Sequence, residues 1–368
     1  DQEGTGAMST VGVIDPATGE YVYNRTYRPN EYNPDLTWEK TTTYNVGMDW
    51  GFLNNRITMN ADFYYRLTDD LINVVDIPAG TNFKTQVIKN IGSLYNMGTE
   101  FSINAVAVDR KNFKWDLGFN ASWNKNQITK LTASDDPDYY VYNSGSNIGN
   151  DQKVQANAVG HPVNSFYLYD VKKNPATGTL CLVDQDHPDA FPGDKDYDVT
   201  AADKRFFHSP AADIMLGFNT KFQFYNFDLG ISLRASIGNY VYNSVLQDQS
   251  QYILAIYDAK FEGYHSVLTN AYNAYWRDGN RLRVDGTTDG VLSTAFLENA
   301  SFLRCDNITL GYSFNAKKSN INGRVYATVS NPFVISGYSG LDPEIASGID
   351  YNMYPRSMSS IIGVTLNF

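Results

Sequence analysis

The sequence predicts an all-β fold, the wall of an antiparallel transmembrane β-barrel, on three observations. Nine stretches alternate apolar and polar residues with period two, as strands with one apolar face do. The connections between these stretches alternate between tight turns and long excursions, which outer-membrane barrels require and a β-sandwich does not. No stretch approaches the roughly 18 consecutive apolar residues of a membrane-spanning helix, whereas barrel strands dilute their hydropathy by alternation.

Taken in order, residues up to about Asn33 read as loop or irregular strand, with a turn at Asp15-Pro16-Ala17-Thr18-Gly19. Tyr44, Val46, Met48, Trp50 and Phe52 then share one face of a strand. Asn54-Asn55 turns the chain, and Ile57, Met59, Ala61, Phe63, Tyr65 and Leu67 return on the same face. Asp69 to Lys89 reads as a longer connection. A second hairpin joins Met97–Ala107 to Phe113–Trp123 through Asp109-Arg110-Lys111-Asn112. A third joins Ile214–Phe224 to Phe227–Ala235 through Tyr225-Asn226. A fourth joins Ile308–Phe314 to Val325–Val329, and Ile362, Val364, Leu366 and Phe368 alternate in a final strand. Long excursions fall near 132–212 and 243–299, the first with short strands expected around Phe166-Tyr167-Leu168-Tyr169.

Tight turns at the periplasmic end place the final strand running downward, with Phe368 at the periplasmic rim. Nine is odd, whereas bacterial single-chain barrels have even strand numbers and the plugged transporters about 22. The whole of 1–368 is therefore expected to be the C-terminal part of one plugged barrel. An earlier portion of the same barrel would pair with its first strand, and the lipid bilayer would cover its outer face. No export signal stands at Asp1-Gln2-Glu3-Gly4, which agrees with a fragment.

Composition supports this. The 27 Tyr, 20 Phe, 5 Trp and 28 Gly favour strands and turns. The formal net charge of −11 argues against nucleic acid as a partner, because binding phosphates needs clustered cations. Cys181 and Cys305 match no metal-ligand spacing and make no disulfide framework.

Six stretches carry a resemblance. They are Asn33-Pro34-Asp35-Leu36-Thr37-Trp38-Glu39, Gly51-Phe52-Leu53-Asn54-Asn55-Arg56, and Asn90-Ile91-Gly92-Ser93 with Asn96-Met97-Gly98-Thr99-Glu100. Phe302-Leu303-Arg304 with Leu310-Gly311-Tyr312, the run Asn331 to Glu344, and the terminal aromatic strand complete the set. In that order they resemble the C-terminal barrel of the SusC/RagA-like TonB-dependent transporters of Bacteroidetes. The resemblance implies a bacterial outer-membrane location and import of oligosaccharides or oligopeptides. It also implies a SusD-like surface lipoprotein as lid and energy from TonB through an N-terminal plug, which this chain lacks. A terminal aromatic strand is, on the same resemblance, what the barrel-assembly machinery reads. The competing expectation is a soluble or surface-anchored β-sandwich that binds glycans.

No catalytic residue is expected. His161, His187, His208 and His265 form no coherent constellation with a nucleophile or a metal motif. Ligand contact is expected of the loop aromatics Tyr139, Tyr140, Tyr264, Tyr275 and Trp276, whose faces suit sugar rings or peptide; packing of loop on loop is the plainer role. No organic cofactor is expected. Many relatives in the family carry, in the region corresponding to Asp184 to Asp203, an Asp-rich loop with calcium-site spacing, and Asp194, Asp196, Asp198 and Asp203 here could supply oxygen ligands to a structural calcium. Val199, however, stands where glycine is expected, and a solvated acidic loop is the other reading.

Overall fold

The computed structural model describes residues 8–27, 33–76, 86–131, 139–143, 145–148, 152–176, 180–249, 292–316 and 321–367. A hairpin of β1 (Met8–Ile14) and β2 (Tyr21–Tyr27) stands by itself. Four wall strands follow: β3 (Lys40–Phe52), β4 (Ile57–Asp76), β5 (Gln86–Arg110) and β6 (Phe113–Lys130). A first excursion holds β7 (Tyr140–Tyr142), β8 (Gln155–Ala158), β9 (Ser165–Tyr169), β10 (Val171–Lys173), β11 (Leu180–Leu182) and β12 (Lys204–Phe206). The wall resumes with β13 (Ile214–Phe224) and β14 (Phe227–Ile237). A second excursion holds β15 (Tyr240–Asn243), α1 (Ser244–Gln249) and β16 (Leu297–Asn299). The chain then runs through β17 (Phe302–Ala316), β18 (Ile321–Ser336), β19 (Ile349–Asp350) and β20 (Ser359–Asn367).

Nine strands make one antiparallel sheet whose order follows the chain, β3-β4-β5-β6-β13-β14-β17-β18-β20. A sandwich would divide them between two facing sheets, so the sandwich reading is overturned. The outer face is apolar and uncovered: Val46, Met48, Phe63, Leu310, Ile362 and Val364 are all exposed, as lipid-facing residues are in a wall strand. Aromatic rings gather at the tight-turn end, where Trp115 stacks on Phe222 at 5.4 Å and Phe227 packs on Tyr312 at 4.8 Å. The indole Nε1 of Trp115 donates to Thr220 Oγ1 at 2.8 Å, so the polar atoms of this belt are not left bare toward lipid.

The inner face is polar and cross-bonded. Ser232 meets Asn219 at 2.7 Å, Thr309 meets Thr328 at 2.9 Å, and Arg324 grips Asp228 through two bonds of 3.0 and 2.6 Å. Asn60, Asp62, Glu100, Ser102, Asn120 and Asn219 line its concave middle. Register fixes this sorting, because Asp62 pairs with Glu100 and Glu100 with Ser122, and a one-residue slip would turn every one of them outward.

The expected connection from Asp69 to Lys89 is not a connection. β4 continues to Asp76 and β5 begins at Gln86, so both arms of this hairpin run on past the recognised pattern. The register slips between Thr68 and Leu71, and Asp70 has φ +58° there. That bulge resets the phase of the alternation, and period two fades from the sequence while pairing continues. β17 and β18 likewise extend beyond their alternating centres.

The two excursions fold onto each other. A four-stranded sheet, β12-β9-β8-β7, and a three-stranded sheet, β16-β15-β19, enclose a core of Val154, Phe166, Leu168, Leu182, Tyr242, Leu246, Phe296 and Ile349. Their residues come from both excursions and from the segment after β18.

Candidate functional site at the extracellular end

The long excursions all leave the same end of the wall, opposite the turns at 53–56, 111–112 and 225–226. Excursion one rises from the inner side of β6. Val163 N donates to Asn126 Oδ1 at 2.8 Å, and Asn126 bonds Asn96 of β5 at 2.8 Å. On that excursion five rings form a row: His161 on Phe206 at 4.3 Å, Phe206 on Tyr167 at 4.6 Å, Tyr167 on Tyr140 at 4.7 Å and Tyr140 on Tyr142 at 5.2 Å. Small residues make room for it, since Ala156 and Ala158 pair with Tyr142 and Tyr140. Burial, followed by the neighbouring Tyr140, pushes the Tyr167 phenol up to about 12, and burial pushes Tyr142 up as well. Burial lowers His161, so the row is neutral at pH 7. Of the aromatics expected to touch ligand, Tyr140 is in this row and Tyr139 lies half-buried beside it. Tyr264, Tyr275 and Trp276 lie outside the described residues.

The acidic loop is organised differently from its spacing. Asp194, Asp196 and Asp198 are exposed, while Asp203 is buried. Asp194 accepts the Phe191 N–H at 2.8 Å, and Asp203 accepts Gln185 N–H at 2.7 Å and Thr200 N–H at 2.6 Å. Among the described residues no three His, Cys, Asp or Glu groups converge as metal ligands. The loop is organised around buried Asp184. Its carboxylate accepts N–H groups from Asp198 at 3.0 Å, His187 at 3.0 Å and Asp186 at 2.9 Å. The Asp198 bond first, with the His187 and Asp186 bonds adding to it, holds Asp184 below the ordinary carboxylate range against the opposing effect of burial.

Two residue sets that carried the resemblance prove to be partners in space. Asn90 Nδ2 donates to Thr37 O and Asp70 O at 2.8 Å each, and Asn90 Oδ1 accepts Thr37 N–H at 2.8 Å. Glu39 accepts Ile72 N–H at 3.0 Å. The Asn33–Glu39 stretch is thus clamped to the upper arms of β4 and β5.

The second pair is ionic. Arg304 Nη2 bonds Asp342 at 2.6 Å, and Arg234 bonds Glu344 through both amino groups at 2.6 and 2.7 Å. Arg304 Nε lies 3.4 Å from Glu344, and Arg356 also contacts Glu344. Asp306 completes the set at 2.8 Å from Arg234 Nε. A bulge places it there: the register skips from Cys305 to Asn307 against both neighbouring strands, and Asn331 with φ +51° absorbs the irregularity in β18. The Asn331 to Glu344 run is therefore half strand and half loop, tied back onto the wall by its own acids.

No protein-family model matches the chain. The TonB-dependent receptor SusC of Bacteroides thetaiotaomicron is 47% identical over 97% of this chain, and TonB-dependent receptor P3 of Formosa agariphila is 26% identical over 91% of it. The chain spans 35% of the length of each. Among solved structures, the RagAB peptide importer in its open-open state superposes with a TM-score of 0.78 at 22% identity, over 99% of this chain and 38% of that one. Identity with SusC along nearly its whole length, on a wall with a polar lining and outer excursions, makes the chain a segment of the outer-membrane barrel of the SusC/RagA-like TonB-dependent receptors.

Proposed function

We propose that this segment forms part of the wall and mouth of an outer-membrane importer of oligomeric nutrients, oligosaccharides or oligopeptides. The importer is powered through TonB by way of its plug and works with a SusD-like surface lipoprotein as lid. The carrying observation is the sheet itself: one antiparallel meander, apolar outside and polar within, with its folded excursions gathered at one end. Kinship with SusC supports TonB dependence, and the likeness in fold to the RagAB peptide importer agrees with import of an oligomer.

Ligand contact belongs to the ring row at Tyr140, with Tyr139 beside it; the sequence assigns the same role to Tyr264, Tyr275 and Trp276, which lie outside the described residues. Flat faces of this kind suit the CH faces of sugars or the side chains of a peptide. Uptake of fluorescent oligosaccharide and oligopeptide libraries by cells carrying the full-length transporter tests the proposal. Accumulation of one class that disappears on deletion of TonB supports it, and accumulation independent of TonB refutes it. Tyr140→Ala is expected to weaken ligand binding about tenfold, the loss of roughly one aromatic contact. Titration calorimetry on the purified transporter measures this.

A further inference from the structure

The segment 337–358, between β18 and β20, touches three bodies, the wall and both excursions. At the wall, Asp342 and Glu344 are held by Arg304 and Arg234. In the first excursion, Gln155 Nε2 donates to Ser347 O at 2.9 Å, and Tyr351 Oη donates to Asn147 O at 2.8 Å. In the second, Tyr242 N donates to Gly348 O at 2.8 Å and β19 pairs in parallel with β15. Ser339 N and Oγ meet the Glu298 carboxylate at 2.8 and 2.7 Å.

Apolar packing repeats the pattern. Ile349, fully buried, enters the core shared by both excursions, while Tyr338 and Ile345 pack on Val241 and Ala300. Tyr338 also donates its hydroxyl to buried Asp350 at 2.7 Å, which closes the segment on itself. Gly348 has φ +76°, and a Cβ there would run into Pro210, Gln155 and the Phe166 ring. The backbone approaches the excursions as closely as glycine permits.

We propose that 337–358 is a strap that couples the extracellular excursions to the lumenal wall, so that the mouth opens and closes as one unit keyed by the Arg304–Asp342 and Arg234–Glu344 pairs. The physical ground is that the wall contacts and the excursion contacts lie on the same short segment, only a few residues apart. Freeing one end removes the restraint on the other. Neither excursion has to be touched for both to loosen.

The test is hydrogen exchange on the full-length transporter in outer-membrane vesicles, comparing Arg304→Gln and the milder Glu344→Gln with wild type. The Phe166, Tyr167 and Tyr242 amides contact neither residue, yet their exchange is expected to rise about tenfold in both variants, as a sub-global opening would give. Gly348→Val cuts the strap from the excursions and leaves the ion pairs. It is expected to produce the same rise at these amides and to speed exchange at Glu344. Exchange that changes only between 337 and 345 in the arginine and glutamate variants overturns the proposal. So does Gly348→Val loosening the excursions with no effect at Glu344. Should Arg304→Gln fail to assemble, Glu344→Gln carries the same comparison.

Discussion

Two ion pairs of similar length differ sharply in consequence. Lys40 and Asp70 meet at 2.8 Å with side chains 73% and 35% exposed, whereas Arg304 and Asp342 meet at 2.6 Å with 4% and 12% exposed. Water screens the first, so Lys40→Ala is expected to leave the urea midpoint essentially unchanged. Arg304→Ala leaves the largely desolvated Asp342 without its cation, while Arg234 still holds Glu344, and is expected to cost roughly 3 kcal/mol, read as a fall in the urea midpoint of the full-length protein in detergent. Asp184 gives a pH signature. Its folded carboxyl titrates below its ordinary 3.8, so its contribution is complete above that value and disappears as pH falls through the lower folded one. Protease cleavage in 184–203 is thus expected to rise on acidification below about pH 4, and Asp184→Asn to cleave readily at neutral pH with a flatter pH dependence. Neither Arg304 nor Asp184 stands out in the sequence as a structural centre: Arg304 appears only inside a family-like triplet, and Asp184 only as the near boundary of an acidic loop. Burial decides both, and burial has no local sequence signal.

Among the elements, the wall was legible where one face meets lipid and the other a polar lining, as along Tyr44–Phe52 and Phe113–Trp123. The upper half of β4 was not, because the slip at Asp69–Asp70 shifts the phase of alternation and Leu71, Ile72, Val74 and Val75 then run together. The excursions were legible only at Phe166–Tyr169, since strands of three or four residues in a mixed core carry no period. Close packing across the inner face also escaped the pattern. The Tyr326 ring lies over Gly363, where any Cβ would collide with it. Gly363→Ala is expected to destabilise by about 1–3 kcal/mol, the cost of overpacking. In a Tyr326→Ala background that cost is expected to shrink, and equal costs in the two backgrounds, measured by urea unfolding, would contradict this packing.

For the whole molecule, the sign of a substitution depends on which face it meets. Val46 points outward near the middle of β3, and its neighbour Asn45 points inward opposite Tyr64. Val46→Arg is expected to cost about 2–4 kcal/mol and Asn45→Arg under about 1, compared by unfolding from lipid vesicles. The candidate site was legible as a place, the outer end, and in Tyr140 as a residue. The spatial union of Asn33–Glu39 with Asn90, and of Phe302–Arg304 with Asp342–Glu344, was not, because single-sequence reading shows stretches and not which stretches meet.

The tall hairpin has one more consequence. β4 and β5 contain 20 and 25 residues, while a tilted strand crosses the hydrocarbon in about 10. The surplus in β4 alone raises the wall about 25 Å above the membrane on that side, stiffened by the Asn90 clamp. On that side the mouth is walled by paired backbone. Solute then reaches it over the rim and not through this flank.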